Sequence, residues 1–253
     1  MPLVVAHRGY SAVAPENTLA AVTAAARAGA DLIEVDVRTG ADGTPHVVHD
    51  PTVDRTTGGV GAVATHDRDA AGALDAGAWF APAYAGQRLP TLAAVLAEVA
   101  RSPAGLLLEV KPRQTAAQVA RIVQEVRAAG LIARTILQSF GEAELRAARR
   151  ADPELRLALL RRALDPEPVA AARALGVMSY NPDWRALEGR PDVVAALRSA
   201  GVAVIPYTVD DPAGWAAMAE HGVDGIITNT PGALVGWNAA MRQVARRERL
   251  VAA

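Results

Sequence analysis

Short apolar runs recur along the chain, separated by longer segments whose apolar positions follow helical spacing. That alternation predicts βαβ units and a parallel sheet. The runs fall at Leu3–His7, Leu32–Val37, Leu106–Lys111, Thr135–Phe140, Leu155–Leu160, Val177–Asn181, Val202–Thr208 and Gly225–Asn229. Candidate helices lie between them, at Asn17–Ala28, Thr91–Arg101, Ala116–Ala129, Glu142–Ala151, Pro166–Leu175, Asp192–Ala200, Pro212–Glu220 and Gly232–Arg249. Several end on a glycine just past the last apolar position, the usual helix stop. Eight strands in 253 residues is the size at which a βα barrel closes, about 250 residues. The expected fold is therefore α/β, a (β/α)₈ TIM barrel forming one domain over residues 1–253.

One connection breaks the rhythm. From Arg38 to Pro90 there is no clear long helix, but there are several glycines and the aromatics Trp79, Phe80 and Tyr84. A stretch this long inside a barrel is usually functional. An inserted subdomain after strand 2, over about residues 40–90, is expected to cover the C-terminal mouth, where barrel enzymes keep their sites.

Composition narrows the class. Apolar residues make up 51% and charged residues 21%, a soluble globular balance with material for a large core. The net charge is −1 with basic residues scattered, so no footprint for nucleic acid is present. No apolar run approaches the roughly 18 residues of a transmembrane helix, and no leader precedes His7, so neither a span nor a signal peptide is expected. The chain has no cysteine, which excludes disulfides and thiolate metal sites and fits a cytoplasmic protein. Of the 26 basic residues, Lys111 is the single lysine.

Barrel strands should be almost wholly apolar, so polar residues near their C-terminal ends call for an explanation. Here they cluster: His7 and Arg8, Glu34 and Asp36, Glu109 and Lys111, Gln138 and Ser139. Residues i and i+2 of a strand share a face. Glu34, Asp36 and Glu109 can thus converge inside the barrel, where they repel one another unless a cation joins them. Oxygen-only ligands favour a hard ion, Mg²⁺ or Ca²⁺. His7 and His49 form a second constellation: cleaving a phosphodiester needs one proton removed from the nucleophile and one delivered to the leaving oxygen, and two histidines suit both transfers. Arg8 and Lys111 supply cations for phosphate oxygens. His46, His66 and His221 read as hydrogen-bonded structural histidines, Asn17 as a helix-start residue, Gly9 as a sharp turn beside a ligand, and Arg242 through Arg249 as a solvated helix face.

The motifs His7-Arg8-Gly9, Pro15-Glu16-Asn17-Thr18, Glu34-Val35-Asp36-Val37, Val47-Val48-His49-Asp50, Asp54-Arg55-Thr56-Thr57-Gly58, Glu109-Val110-Lys111, Gln138-Ser139-Phe140 and Gly222-Val223-Asp224-Gly225 follow in order along essentially the whole chain. In this pattern the chain resembles the glycerophosphodiester phosphodiesterases. The resemblance implies hydrolysis of glycerophosphodiesters to glycerol 3-phosphate and an alcohol on a barrel with an inserted subdomain. By position it implies His7 and His49 as the acid/base pair, Glu34, Asp36 and Glu109 as metal ligands, and Arg8 and Lys111 as phosphate contacts; Asn17, Gln138 and Tyr207 are candidates for a supporting shell around them. The chain departs from the family pattern at Gly40, where Thr is usual, at Tyr207-Thr208-Val209-Asp210, where Trp-Thr-Val-Asn is usual, and at Thr228-Asn229, where Thr-Asp is usual. Tyr207 and Asp210 bear on the preferred alcohol. Two other readings compete: a lysophospholipase D-like enzyme, which would use a broad apolar surface around Trp79, Phe80 and Tyr84, and a non-catalytic barrel that binds phosphorylated ligands, which would lack a proton carrier or metal ligand. None is missing here.

Overall fold

Each of the eight predicted runs forms a strand, and alternation along the strand decides which layer each side chain joins. The computed structural model describes residues 1–251 and side chains through residue 247 apart from 245. The strands are β1 (Leu3–Ala6), β2 (Leu32–Thr39), β3 (Pro45–Val47), β4 (Gly105–Val110), β5 (Thr135–Ser139), β6 (Arg156–Arg161), β7 (Ser179–Pro182), β8 (Ala203–Val204) and β9 (Gly225–Thr228). All but β3 run parallel, in the order β8-β7-β6-β5-β4-β2-β1-β9. Inward positions Val5, Leu107, Ile136, Ala158, Ile205 and Ile227 fill the barrel. Outward positions such as Val4, Ile33, Val35, Leu106, Leu108 and Leu137 belong to the larger core beneath the helices.

The barrel is nearly closed. β8 and β9 share no ladder, but three backbone bonds span the gap: Asp224 N–H to Val204 C=O at 2.9 Å, Ile227 N–H to Pro206 C=O at 3.0 Å and Val209 N–H to Ile227 C=O at 3.0 Å. Pro206 has no N–H to donate in return, so regular pairing stops there.

The outer layer comprises α1 (Leu19–Arg27), α2 (Arg68–Ala73), α3 (Leu92–Ala100), α4 (Ala116–Ala128), α5 (Glu142–Ala151), α6 (Pro168–Leu175), α7 (Pro191–Ser199), α8 (Pro212–His221) and α9 (Pro231–Val251). α1 begins later than predicted: Thr18 is its cap, accepting from Ala21 N–H, which frees Asn17 for a different task. α6 starts at Pro168, where proline's fixed φ suits the first turn. In α9, Arg242, Arg246 and Arg247 are exposed, as expected of a solvated face; Arg249 lies outside the described side chains. Among the described residues no helix is long and apolar enough to cross a membrane.

Residues 40–90 hold more order than the sequence predicts. β3 pairs antiparallel with β2, α2 supplies a short helix, and Val63–Thr65 and Pro82–Tyr84 form single 3₁₀ turns. Val48, Val53, Val63, Ala71, Ala76 and Leu89 bury a small apolar cluster of their own. Trp79, Phe80 and Tyr84 meet edge to face, with ring centres 5.7 and 5.5 Å apart, and Tyr84 Oη donates to Val13 C=O at 2.6 Å.

Two glycines are fixed by space. A Cβ on Gly9 would lie 2.6 Å from the backbone of Ala21, and φ there is +77°. The close neighbour is thus α1, where a ligand had been expected. A Cβ on Gly40 would lie 2.5 Å from His66 C=O and 2.8 Å from His46 Nε2, so the threonine usual at this position would not fit.

Candidate active site

Strand alternation and register bring the predicted acids together. Asp36 on β2 sits opposite Glu109 on β4, and Glu109 opposite Gln138 on β5, while Glu34 lies one inward position deeper on β2. Oxygens of Glu34, Asp36 and Glu109 approach within 4.8 Å of one another, and all three residues are buried. His7, Arg8, Glu34, His49, Glu109, Lys111, Gln138 and Tyr207 line one cleft of about 440 Å³ above them. Asp36 is buried and does not line the cleft; it is held by Asn17, whose Nδ2 donates to Asp36 Oδ2 at 2.8 Å and whose Oδ1 accepts from Asp36 N–H at 3.1 Å. Asn17 orients an acid and caps no helix.

The acids have cationic neighbours that the sequence argument had not given them. Lys111 Nζ lies 2.6 Å from both Asp36 Oδ1 and Glu109 Oε1. Arg8 Nε lies 3.5 Å from Asp36 Oδ2, and the Arg8 N–H donates to Glu34 Oε2 at 2.8 Å. Two cations still leave three carboxylates undercompensated. Burial, then the Asp36 charge, push Glu109 up to about 7. Burial and the charges of Asp36 and Glu109 push Glu34 well above the usual carboxylate range. For Asp36, burial raises the pKa but Lys111 and Arg8 outweigh it and hold it low. Glu34 Oε1 is buried with no protein partner. A hard cation fits this donor set: it would supply the missing charge and occupy the orphaned oxygen.

The two histidines enter from different elements. His7 ends β1, with Nδ1 2.7 Å from Asn229 Oδ1; burial, then the Arg8 guanidinium, lower its pKa to about 4. His49 follows β3, with Nδ1 2.7 Å from Asp50 Oδ1, and burial is the main cause of its lowered pKa. Asp50 is itself anchored. Arg55 Nε donates to its other oxygen at 2.6 Å and reaches on to Glu16 through two bonds of 2.8 Å, and Glu16 accepts from Arg8 at 2.8 Å. Burial would raise the Asp50 pKa, but the hydrogen bonds from Arg55 and His49 hold it at about 2. This chain of ions ties the His49 side of the cleft to the Arg8 side. Asp50, Arg55 and Glu16 stand inside motifs legible in the sequence and Asn229 at a departure from the family pattern, but neither says what a side chain bonds to.

The remaining residues separate. Gln138 Oε1 accepts from Asn181 at 2.9 Å, and Tyr207 Oη donates to Arg161 C=O at 2.9 Å, so both reach the cleft already partnered. Ser139 instead bonds Val110 C=O and Gly141 N–H. His46, His66 and His221 lie away from the cleft. His66 Nδ1 lies 2.9 Å from Ala62 C=O, but both ring nitrogens of His46 and Nδ1 of His221 are buried without a protein partner, so the hydrogen bonds expected there are absent. Of residues 40–90, His49 alone lines the cleft; Trp79, Phe80 and Tyr84 do not.

The chain is similar to known proteins over nearly its whole length. The profile of the Glycerophosphoryl diester phosphodiesterase family matches residues 7–233. A glycerophosphodiester phosphodiesterase of Caldanaerobacter subterraneus subsp. tengcongensis is 35% identical over 92% of this chain and 96% of its own length. The crystal structure of a glycerophosphodiester phosphodiesterase from Agrobacterium tumefaciens superposes with a TM-score of 0.81 at 34% identity, covering 92% of this chain and 98% of that one. A phosphodiesterase of Oleispira antarctica, solved in complex with the product sn-glycerol 3-phosphate, gives a TM-score of 0.85 at 25% identity over 93% and 96%. From the family profile and these relatives, the chain belongs to the glycerophosphoryl diester phosphodiesterase family and is a phosphodiester hydrolase.

Proposed function

We propose that the enzyme hydrolyses glycerophosphodiesters to glycerol 3-phosphate and an alcohol, with Mg²⁺ or Ca²⁺ held by Glu34, Asp36 and Glu109. The observation that carries this reading is the buried three-carboxylate cluster at the floor of a cleft flanked by two histidines. The product bound to the Oleispira antarctica relative supports the choice of substrate. When bound, the cation would supply positive charge to the phosphate oxygens as charge builds on them. Arg8 and Lys111 would bind the same phosphate through charge-assisted hydrogen bonds. One of His7 and His49 would take the proton of the attacking oxygen as it bonds to phosphorus, and the other would protonate the alcohol oxygen as its P–O bond breaks. Asn17 would keep Asp36 aimed at the cation, and Gln138 and Tyr207 would shape the wall for the alcohol.

The chain is read as one domain over residues 1–253, with residues 40–90 as a subdomain inserted into the barrel; their separate apolar cluster supports this. Since the aromatics of that segment stay out of the cleft wall, the glycerophosphodiester reading is favoured over a lysophospholipase D-like one. A substrate panel decides. Glycerophosphocholine and glycerophosphoethanolamine should release glycerol 3-phosphate, with lysophosphatidylcholine turned over far more slowly. Preferential release of lysophosphatidic or cyclic phosphate products from the lysolipid would reverse the assignment.

A further inference from the structure

His7 and His49 both bond through Nδ1, but to chemically different oxygens. His49 faces a carboxylate, whereas His7 faces an amide oxygen, Asn229 Oδ1, at 2.7 Å. Which end of that amide faces His7 is set by a third residue. Asp210, which follows β8, accepts from the Asn229 backbone N–H and from Asn229 Nδ2, each at 2.7 Å. Its Oδ1 also accepts from Thr228 Oγ1 at 3.0 Å. An ionised carboxylate only accepts, so the amide NH₂ must turn to Asp210 and the amide oxygen to His7. Ser11 Oγ, 2.8 Å from the same Oδ1, is a hydroxyl that can donate to it. An acceptor against Nδ1 tolerates only an N–H there. The neutral ring therefore carries its proton on Nδ1 and keeps the lone pair on Nε2.

We propose that Asn229, clamped by Asp210, is the positioning residue of His7: it fixes the ring as the Nδ1–H tautomer and leaves Nε2 as the proton acceptor at the cleft. The catalytic consequence rests on the reading of His7 as a proton carrier; the tautomer does not. The charged groups around this ring include Arg8 beside it, Asp36 from β2 and Lys111 from β4, with Glu34 and Glu109 lining the same cleft, Glu16 lining the adjoining pocket and Asp210 behind Asn229. The clamp holds the Asp210 charge one residue back from the imidazole, in keeping with the lowered pKa of about 4. Positions 210 and 229 are two of those at which the chain departs from its family pattern, and there acid and amide have changed places. In this chain the amide faces His7 and the carboxylate charge stands one residue behind it.

Two-bond ¹H–¹⁵N spectra of ¹⁵N-histidine-labelled, Mg²⁺-loaded enzyme read the tautomer and titration of His7 directly. The wild type should show Nδ1 protonated and Nε2 bare at neutral pH, with a midpoint below the ordinary 6.5. The double variant Asp210→Asn with Asn229→Asp keeps an acid–amide pair but brings the carboxylate against Nδ1–H. It should raise the midpoint by about one pH unit or more and carry the acid limb of kcat/KM with it. An Nε2–H tautomer or a fast mixture in the wild type, which needs no variant to fold, overturns the inference. So does an unmoved midpoint in the folded double variant. A midpoint that moves while the kinetic limb stays upholds the positioning by Asn229 and removes His7 from proton transfer, so the two readings fail separately.

Discussion

The two halves of the barrel mouth differ in how far their polar groups are compensated by the protein. Around β1, β2 and β4 the side chains are ionic and undercompensated: three buried carboxylates share Lys111 and Arg8, and Glu34 Oε1 has no protein partner. Around β5 to β8 the neutral Gln138 and Tyr207 are partnered at home, by Asn181 and the Arg161 backbone, Phe140 and Tyr207 pack edge to face with centres 6.0 Å apart, and the charged Arg162, which lies over the Phe140 ring, and Asp183 line the cleft apart from the acid cluster. The first arrangement is destabilising for a protein by itself and useful only with a cation and an anionic substrate present. The second can shape a pocket without taking part in bond breaking. Chemistry should therefore be lost by changes on one side, and selectivity altered by changes on the other.

The histidines are where the comparison is easiest to break. His7→Ala and His49→Ala should each lower kcat/KM by about 10²–10⁴-fold. His66→Ala and His221→Ala, outside the cleft, should leave it nearly unchanged. Steady-state kinetics on glycerophosphocholine would measure this, and equal damage from His221→Ala would show that the cleft is not the seat of proton transfer.

Lys111→Arg tests whether the ionic half needs a compact cation or only a positive charge. The ammonium is buried and lies 2.6 Å from two carboxylate oxygens, where a planar guanidinium must find more room and more partners. Turnover should fall by at least about tenfold, roughly 1.4 kcal/mol, with an unchanged circular dichroism spectrum. Wild-type kinetics from the folded variant would reduce the single lysine of the chain to an accident of composition.

Metal affinity should carry the pKa of Glu109. In the metal-free enzyme that acid sits at about 7, so below this pH a cation must displace its proton. Affinity by calorimetry should weaken by about tenfold or more for each pH unit below 7, since Glu34, also pushed up, can hold a second proton. A flat profile between pH 5.5 and 7 would mean that Lys111 and Arg8 already keep all three acids ionised.

On the β5 to β8 side the effects should be smallest. Tyr207→Phe removes one hydrogen bond to the Arg161 carbonyl, a loss of about 1 kcal/mol. It should change KM or the ranking of alcohols by a few fold while kcat holds. A collapse of kcat would place Tyr207 in the ionic machinery.

Much of this was legible in the chain because strand periodicity is local. Apolar runs located all eight parallel strands, and i, i+2 spacing put Glu34 with Asp36 and Glu109 with Lys111 on the inner face. β3 escaped because Pro45-His46-Val47 is too short to show alternation. Thr18 took the cap assigned to Asn17, and nothing in the spacing told that Asn17 would hold Asp36. The Asn229 contact to His7 joins residues 222 positions apart; it exists because β1 and β9 are neighbours in the sheet. The Asp50–Arg55–Glu16–Arg8 chain likewise depends on how two loops meet above the barrel.

The central claim is that the three buried acids work through a hard divalent cation, and turnover of glycerophosphocholine before and after removal of metal tests it most directly. Dialysis against a chelator should abolish glycerol 3-phosphate release, and Mg²⁺ or Ca²⁺ should restore it in the wild type but not in Glu109→Gln. Full turnover by enzyme shown by elemental analysis to be metal-free would contradict the assignment of Glu34, Asp36 and Glu109.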